Sequence, residues 1–302
     1  MKLFFKTVVL ASVLAAGGRV CGQTVTLAPC ADTSLFENEP DNNLGASVSL
    51  VSGANTSGYR SRELMQFSFT NQIPSNAIIQ SVTLTVNVVT VPGGGGGAAS
   101  VFDMHRLLVS WTEGIGTGNM GSPANPGETT WDYRFYPTNG WTTPGGGISN
   151  DFSAVVSASL LWNAIGMYTY ASTSNLVADV QQWVANPATN FGWMFISESE
   201  NVPQTARRIG AREDTNNAPS LVVQYAMPAP SLQNAAVAAG AIQFSFSAPA
   251  GQACAVQYSD SLGAGSWLTL TNIAAQPATT NVTVSDALTN GARRFYRAVV
   301  EY

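Results

Sequence analysis

The sequence predicts an all-β protein, with a jelly-roll β-sandwich followed by a small immunoglobulin-like β-sandwich. Only 10% of the 302 residues are charged, whereas the chain contains 28 glycines and 15 prolines. Short β-branched or apolar runs alternate with turns rich in Gly, Pro and Asn, which is typical of many short strands. Lys2 and Lys6 are the only lysines, so the chain lacks the Lys- and Glu-rich composition of amphipathic helices.

The N-terminus predicts export from the cell. A basic start is followed by an apolar run from Val8 to Ala16 and then by small residues, the pattern of a secretory signal peptide over residues 1–22. Cleavage before Gln23 is favoured over lipidation of Cys21. It would leave 10 basic and 18 acidic residues, a net charge of −8. That charge argues against nucleic acid and anionic membranes as partners, and no later segment predicts a membrane span. The predicted location is secreted, either extracellular or at the cell surface.

Residues 23–226 read as the larger sandwich. One helix is predicted at Asn175–Val184, because its apolar residues recur at helical spacing before the "ANPATN" stop. In "VTLTVNV" the apolar positions 82, 84, 86 and 88 share one face of a strand. The strands are predicted at Leu64–Phe69, Ile78–Val89, Ser100–Val109, Phe191–Ser197 and Ser220–Tyr225.

A Pro-rich joint at Ala226–Ser231 precedes a change in composition. About six short strand candidates follow, including "AIQFSFSAP", "CAVQYSDS" and "RRFYRAVV". This number of strands fits a small immunoglobulin-like sandwich over residues 227–302.

Several motifs in residues 31–225 occur in an order that resembles the DNRLRE family. They are "ADTSLFENEPDNNLGASVSLVSG", "RSRELMQFSFTNQIPSNAIIQSVTLTVNV", "HRLLVSWTEG" with "ETTW", "LVADVQQWVANPATNFGWMFIS" and "APSLVVQY". The resemblance implies a secreted jelly-roll module of the carbohydrate-binding kind. The tail is similar to C-terminal sandwich modules of secreted bacterial proteins. Together these likenesses imply that a polysaccharide is the partner, with association to the cell surface left open.

Nucleophilic and zinc chemistry find little support in the sequence. A Ser/His/Asp set would need the single histidine, His105, which lies within a predicted strand and is interpreted as structural. One histidine and the two mature cysteines do not supply a zinc site. Cys30 and Cys254 are far apart in the chain, so buried free thiols are expected rather than a disulfide.

Two glutamates raise the sharper hypothesis of a glycosidase. Glu113 and Glu128 lie near Trp111 and Trp131 in a long loop, and glycoside hydrolysis requires two carboxylates flanking the scissile bond. The favoured interpretation is structural: Glu113 accepts backbone N–H groups within its loop, and Glu128 pairs with an arginine. No catalytic residue is therefore predicted.

Aromatic residues in loops suggest where sugars would stack. Trp111 and Trp131 are interpreted as loop anchors. Tyr136 and Trp141, which are flanked by Pro and Gly, are predicted to be exposed ligand-binding residues. The remaining tryptophans of this region lie in apolar runs and are expected in the core: Trp162, Trp183 and Trp193.

Arginines supply nearly all the cations of the larger module. Their guanidinium groups could clamp the carboxylates of an acidic polysaccharide, or they could pair with neighbouring acids such as Glu63, Glu213 and Asp214; both alternatives stay open. The ligand-binding candidates are Arg60, Arg207, Arg208 and Arg212. The segments "ENEPDNNLGAS" and "REDTNNAPS" are rich in oxygen ligands, so a structural calcium ion is a further hypothesis, with Asx turns as the alternative.

The sequence therefore predicts a secreted, non-catalytic carbohydrate-binding protein that recognises a polysaccharide, with an acidic polysaccharide as one option. The alternatives are a structural cell-surface or matrix protein without a sugar ligand and, third, a polysaccharide-degrading enzyme that uses Glu113 or Glu128.

Overall fold

The computed structural model describes residues 22–93, 97–261, 266–287 and 294–301. It is an all-β protein, as predicted, with two compact units: one spans Gly22–Ala226 and the other begins at Met227. The elements of the first unit are β1 Gln23–Leu27, β2 Pro29–Phe36, β3 Asn42–Asn43, β4 Ser49–Ala54, β5 Arg60–Phe67, β6 Ile78–Thr90, β7 Ser100–Leu107, β8 Ser122–Pro123, β9 Tyr133–Phe135, β10 Asn139–Gly140, β11 Phe152–Trp162, β12 Gly166–Tyr170, α1 Ser174–Ala185, a 3₁₀ turn Pro187–Thr189, β13 Trp193–Ser197, β14 Arg207–Gly210 and β15 Ser220–Ala226.

A curled antiparallel sheet forms the first unit. Its strands follow the order β1-β15-β6-β14-β4-β5-β13-β7-β11, with β12 on the other side of β6 and β2 on β5. Strand β4 pairs with β14 through Ser49–Ser52 and with β5 through Gly53 and Ala54, so it joins the two layers of the sandwich. A groove lies at the end of the sandwich where β4 turns into β5.

The core confirms the predicted periodicity. On β6 the side chains of Val82, Leu84, Val86 and Val88 are buried, while the intervening positions are half-exposed. The predicted core tryptophans Trp162, Trp183 and Trp193 are fully buried. Trp162 stacks on Phe102 with ring centroids 4.1 Å apart, and Trp183 meets Trp193 edge-on at 4.6 Å. Large aromatic side chains therefore supply much of the apolar area buried between the layers.

The predicted helix is confirmed as α1. Thr173 caps its N-terminus, because the Thr173 Oγ1 accepts a hydrogen bond from the Leu176 backbone N–H at 3.0 Å. Leu176, Val180 and Trp183 are buried on one face, as helical spacing requires.

A third layer covers the outer face of β5, β13 and β7. Residues 111–151 form it with little regular structure, and its tryptophans Trp131 and Trp141 pack with Leu35, Leu64 and Met194 in a second apolar cluster. Arg62 lies over the Trp131 ring at 5.7 Å and donates to the carbonyl of Gly145 at 2.9 Å. The sheet face beneath this layer is therefore closed to large ligands.

The strands of the second unit are β16 Gln233–Ala238, β17 Ala241–Ala248, β18 Ala253–Ser259, β19 Leu268–Ile273, β20 Thr280–Ala287 and β21 Phe295–Glu301. They form two three-stranded sheets, β16-β17-β20 and β19-β18-β21. The buried core of this unit includes Phe244, Phe246, Val256 and Tyr296. Within the described ranges of the whole chain, no helix has the length and apolarity needed to cross a membrane.

Candidate functional site

The candidate site is a groove of about 300 Å³ at the end of the first unit where β4 turns into β5. Its floor is apolar: Phe36 and Val51 are buried there, and Ala206 of the segment before β14 packs against them. Its walls carry polar side chains from five separate segments, namely Asn38, Asn55, Thr56, Thr90, Asn119 and Arg208. An apolar floor with a few polar groups around it is the usual composition of a ligand site.

The β4–β5 hairpin forms one wall. Asn55 organises its turn, since its side-chain Oδ1 accepts from the backbone N–H of Ser57 at 2.9 Å and of Tyr59 at 3.1 Å. Gly58 adopts a φ of +85°, which favours glycine. In the described part of the chain, the Asn55 amide nitrogen and the Thr56 hydroxyl have no hydrogen-bond partner. These groups are free to bind a ligand.

Tyr59 directly precedes β5 and is 48% exposed. Its side chain is not part of the groove lining, but its backbone N–H donates to the Oδ1 of Asn55, which does line the groove. An exposed ring beside free amide and hydroxyl groups is an arrangement that can stack on a sugar.

Arg208 places a cation in the groove. Its Nη2 donates to both the carbonyl and the side-chain oxygen of Asn119, the latter at 2.9 Å, and its Nη1 contacts the Ser49 hydroxyl at 3.4 Å. The side chain is half-buried, and burial lowers the pKa of Arg208. No carboxylate lies within ion-pair distance of this guanidinium in the ranges that the structure describes.

Glu63 is the carboxyl group whose charge acts on the pKa of Arg208. It is fully buried, and among the described residues neither of its oxygens has a hydrogen-bond partner. Burial raises the pKa of Glu63 well above its ordinary value, and the charge of Asp32 raises it further, while Arg208 opposes the shift. These effects favour the neutral acid at Glu63.

Two of the arginine candidates are held in ion pairs. Arg60 Nη2 lies 2.6 Å from Glu37 Oε1, and its guanidinium covers Trp131 at 5.3 Å. Arg212 pairs with Glu113 at 2.5 Å and with Glu213 at 3.0 Å. For these two side chains, ion pairing within the module is therefore the alternative that the structure favours.

The expectation of an accessible Arg207 is wrong. Its side chain is fully buried, and its two terminal nitrogens donate to the backbone carbonyls of Thr205, Ala206, Gly97, Ala98 and Asn163 at 2.9–3.3 Å. These carbonyls compensate the buried cation, so Arg207 holds three chain segments together.

The expectation of an exposed Trp141 is also wrong. The ring is 7% exposed, and its Nε1 donates to the Thr130 carbonyl at 2.9 Å. The glycines that follow fold the chain inward, because Gly145 and Gly146 adopt φ values of +82° and +98°. Tyr136 is half-buried and meets Tyr133 edge-on at 5.5 Å. It does not line the groove.

The two loop glutamates are anchors rather than a facing pair. Glu113 Oε1 accepts the Asp32 backbone N–H at 2.7 Å in addition to its pair with Arg212. Glu128 is buried and accepts the backbone N–H of Ile115 at 3.1 Å and of Asn125 at 2.9 Å. The arginine expected beside Glu128 is replaced by these loop amides.

The remaining candidates have structural environments. His105 Nδ1 lies 2.9 Å from the Ser153 carbonyl within the sheet, which confirms its structural interpretation. Cys30 and Cys254 are both free; Cys254 is buried as expected, whereas Cys30, near the start of β2, is exposed where burial was expected.

The described residues contain no carboxylate cluster that would support the calcium hypothesis. Over the ranges that the structure describes, no group of three or more His, Cys, Asp or Glu side chains is arranged to hold a metal ion. Asn43 Oδ1 accepts from the Gly45 N–H at 2.9 Å, and Asp214 Oδ1 from the Asn216 N–H at 3.0 Å. Both oxygen-rich segments thus contain the Asx-type contacts of the alternative interpretation.

No protein-family model matches the chain, and no curated protein is significantly similar to it. The fold and the groove therefore carry the functional argument.

Proposed function

We propose that this chain is a secreted, non-catalytic carbohydrate-binding protein of the DNRLRE type, and that it binds a polysaccharide in the groove between the β4–β5 hairpin and Arg208. The observation that carries the proposal is the composition of the groove. An apolar floor of Phe36 and Val51 lies beneath amide and hydroxyl groups that have no partner among the described residues, and the exposed Tyr59 lies on the same hairpin as Asn55. Sugars present apolar C–H faces and hydroxyl edges, and this groove complements both.

The exposure of the aromatic side chains indicates where on the first unit a glycan can bind. The third layer covers the outer face of β5 and β13, and it buries Trp131 and Trp141, two of the aromatic side chains that could otherwise have stacked on a glycan. Tyr59 remains 48% exposed beside the groove. Binding at the hairpin end of the sandwich is therefore favoured over binding on the sheet face.

The surroundings of the loop glutamates support a binding role over hydrolysis. A glycosidase keeps both carboxylates directed at the scissile bond, whereas Glu113 is occupied by Arg212 and the Asp32 amide, and Glu128 by loop amides. Freeing either carboxylate would cost the loop its anchoring hydrogen bonds.

A glycan array tests the proposal with the parent protein, Tyr59→Ala and a matched control, Tyr136→Ala, which alters a tyrosine away from the groove. We expect binding to at least one polysaccharide class, roughly tenfold weaker for Tyr59→Ala and unchanged for Tyr136→Ala. Failure of the folded parent to bind any neutral or acidic glycan would overturn the proposal in favour of a structural surface protein. New reducing ends that vanish in Glu113→Gln would overturn it in favour of an enzyme.

A further inference from the structure

We infer that the ligand of the groove is an anionic polysaccharide, whose carboxylate or sulfate group pairs with Arg208. This inference rests on the proposed function and names the chemical class of glycan that the same groove would take. It is carried by the charge balance around the groove, by the burial of its guanidinium and by the polar groups beside that guanidinium.

Four arginines of the first unit pair with a carboxylate. Arg60 pairs with Glu37, Arg62 with Glu200 at 2.7 Å, Arg106 with Asp179 at 3.2 Å and Arg212 with Glu113. Among the described residues, Arg208 donates only to neutral acceptors, on Asn119 and Ser49. In the described ranges, it is thus the guanidinium of the groove that has no ion pair.

Leaving the Arg208 cation without a counter-charge costs free energy. Arg208 is half-buried, and a cation removed from water without a counter-charge loses hydration free energy. Arg207 meets the same cost with five backbone carbonyls that accept from its two terminal nitrogens, although its Nε has no partner among the described residues. Arg208 instead opens into the groove, where an anion from a ligand can reach it.

Glu63 is the buried acid whose charge acts on the pKa of Arg208. It has no exposed surface, and its oxygens form no hydrogen bond to Arg208 or to any other described group. Its low-dielectric surroundings favour the uncharged acid. A neutral Glu63 leaves the positive charge of Arg208 available to a ligand.

Other polar groups of the groove can bind the sugar ring that carries the anionic group. The free Asn55 amide and Thr56 hydroxyl lie on the hairpin wall, and the unpartnered Thr90 hydroxyl lies at the end of β6. Together with the exposed Tyr59 on the same hairpin as Asn55, these groups can hold a sugar ring while its acidic substituent meets the guanidinium fork.

Matched polymer pairs that differ only in charge test the inference. The charged members are polygalacturonate, polymannuronate and dextran sulfate, and their partners are the two carboxyl-reduced polymers and unmodified dextran. The full-length chain is compared with Arg208→Gln, Arg208→Lys and a control, Arg134→Gln. Arg134 also donates to a backbone carbonyl and an asparagine oxygen, but it lies on the β9–β10 hairpin, away from the groove.

We expect the parent to bind at least one charged polymer tenfold or more tightly than its uncharged partner, because charge-assisted hydrogen bonds contribute about 1.5–3 kcal/mol. Arg208→Gln should lose that difference, Arg208→Lys should keep part of it, and Arg134→Gln should keep all of it. Preference for a polyuronate assigns a carboxylate, and preference for dextran sulfate assigns a sulfate.

Equal binding of charged and uncharged partners by the parent would overturn the inference and leave the proposed function standing. This comparison needs no variant, so it holds even where Arg208→Gln fails to fold. Binding to no polymer of either kind would overturn the proposed function together with the inference.

Discussion

Arg207 and Arg208 are adjacent on β14 and direct their guanidinium groups into opposite environments. Arg207 is enclosed by backbone carbonyls of three chain segments, and Arg208 faces the groove, where Asn119 and Ser49 are its acceptors. Alternation along a strand requires this opposition. One side chain therefore stabilises the fold, and its neighbour is available to a ligand.

Replacing Arg207 should weaken the fold more than any other arginine substitution in the first unit. Arg207→Ala removes the donors that satisfy the carbonyls of Gly97, Ala98 and Asn163 and leaves a cavity. We expect a loss of roughly 3 kcal/mol or more in the free energy of unfolding, measured by urea denaturation with tryptophan fluorescence.

Arg134→Ala is the matched control for this loss, since Arg134 is a half-exposed arginine with two similar acceptors. Its free energy of unfolding should change by about 0.5 kcal/mol or less. Equal losses for the two variants would show that the carbonyl contacts of Arg207 contribute little.

The same pair of arginines shows what the sequence could and could not predict. Alternation predicts that neighbouring residues of a strand face opposite ways, but it does not say which side is covered. That depends on residues 97–98 and 163, which are distant in the chain and reach β14 only through the folded topology. For this reason Arg207 and Arg208 looked equivalent as binding candidates.

The third layer escaped prediction for a related reason. Gly and Pro around Trp141 predict turns, and turns are usually exposed, yet the positive φ at Gly145 and Gly146 folds this loop back onto the sheet. By contrast, the strand pattern of β6 and the helical pattern of α1 are local, and both were predicted. The segment "NTSGY" contains Asn and Gly, which indicate a turn. The sequence does not show that this hairpin and Arg208 line the same groove, because that depends on the folded topology.

The buried acid Asp32 should make stability fall as the pH rises. Burial raises the pKa of Asp32 from 3.8 to about 8, although the Arg212 backbone N–H, which donates to its Oδ2 at 2.8 Å, opposes the shift. The native state thus retains a proton that the unfolded chain releases near pH 4. The resulting stabilisation is complete below that pH and is lost as the pH rises through about 8.

Asp32→Asn should remove this dependence, because asparagine imitates the protonated acid. We expect the parent to lose stability between about pH 4 and 8, relative to the variant, with a slope of up to about 1.4 kcal/mol per pH unit. Urea denaturation across this range measures the slope. The exposed Asp41→Asn should run parallel to the parent, and a parallel curve for Asp32→Asn would mean that native Asp32 is ionised.

Glu113 should matter for folding through its two partners. Glu113→Gln weakens the ion pair with Arg212 and the hydrogen bond from the Asp32 N–H, which tie the loop after Trp111 to the segment after β14 and to β2 respectively. Since the Arg212 side chain is 37% exposed, water screens much of this pair. We expect a loss of about 1–2 kcal/mol in the free energy of unfolding.

The solvent-exposed Glu198→Gln is the control for Glu113→Gln, and its unfolding curve should superimpose on that of the parent. Groove binding should also be unchanged in Glu113→Gln, because Glu113 does not line the groove. A stable Glu113→Gln protein that no longer binds glycan would instead place the site at the loop.

Trp141 should hold the third layer onto the sheet. Trp141→Phe keeps an aromatic ring in the cluster with Trp131 but leaves the buried Thr130 carbonyl without the indole N–H. An unsatisfied buried acceptor costs about 1–3 kcal/mol. We expect residues 111–151 to be cleaved faster by thermolysin in Trp141→Phe, at sites that mass spectrometry can locate, because the loss weakens this layer first.

Trp267→Phe, in the second unit, is the matched control, because its half-buried ring packs against Arg297 at 4.3 Å. Cleavage within residues 111–151 should proceed there at the parent's rate. If Trp141→Phe were instead cleaved evenly along the first unit, the third layer would unfold together with the sandwich, and Trp141 would stabilise the unit as a whole. Cleavage at the parent's rate would mean that the ring alone, without its hydrogen bond, is enough to hold the layer.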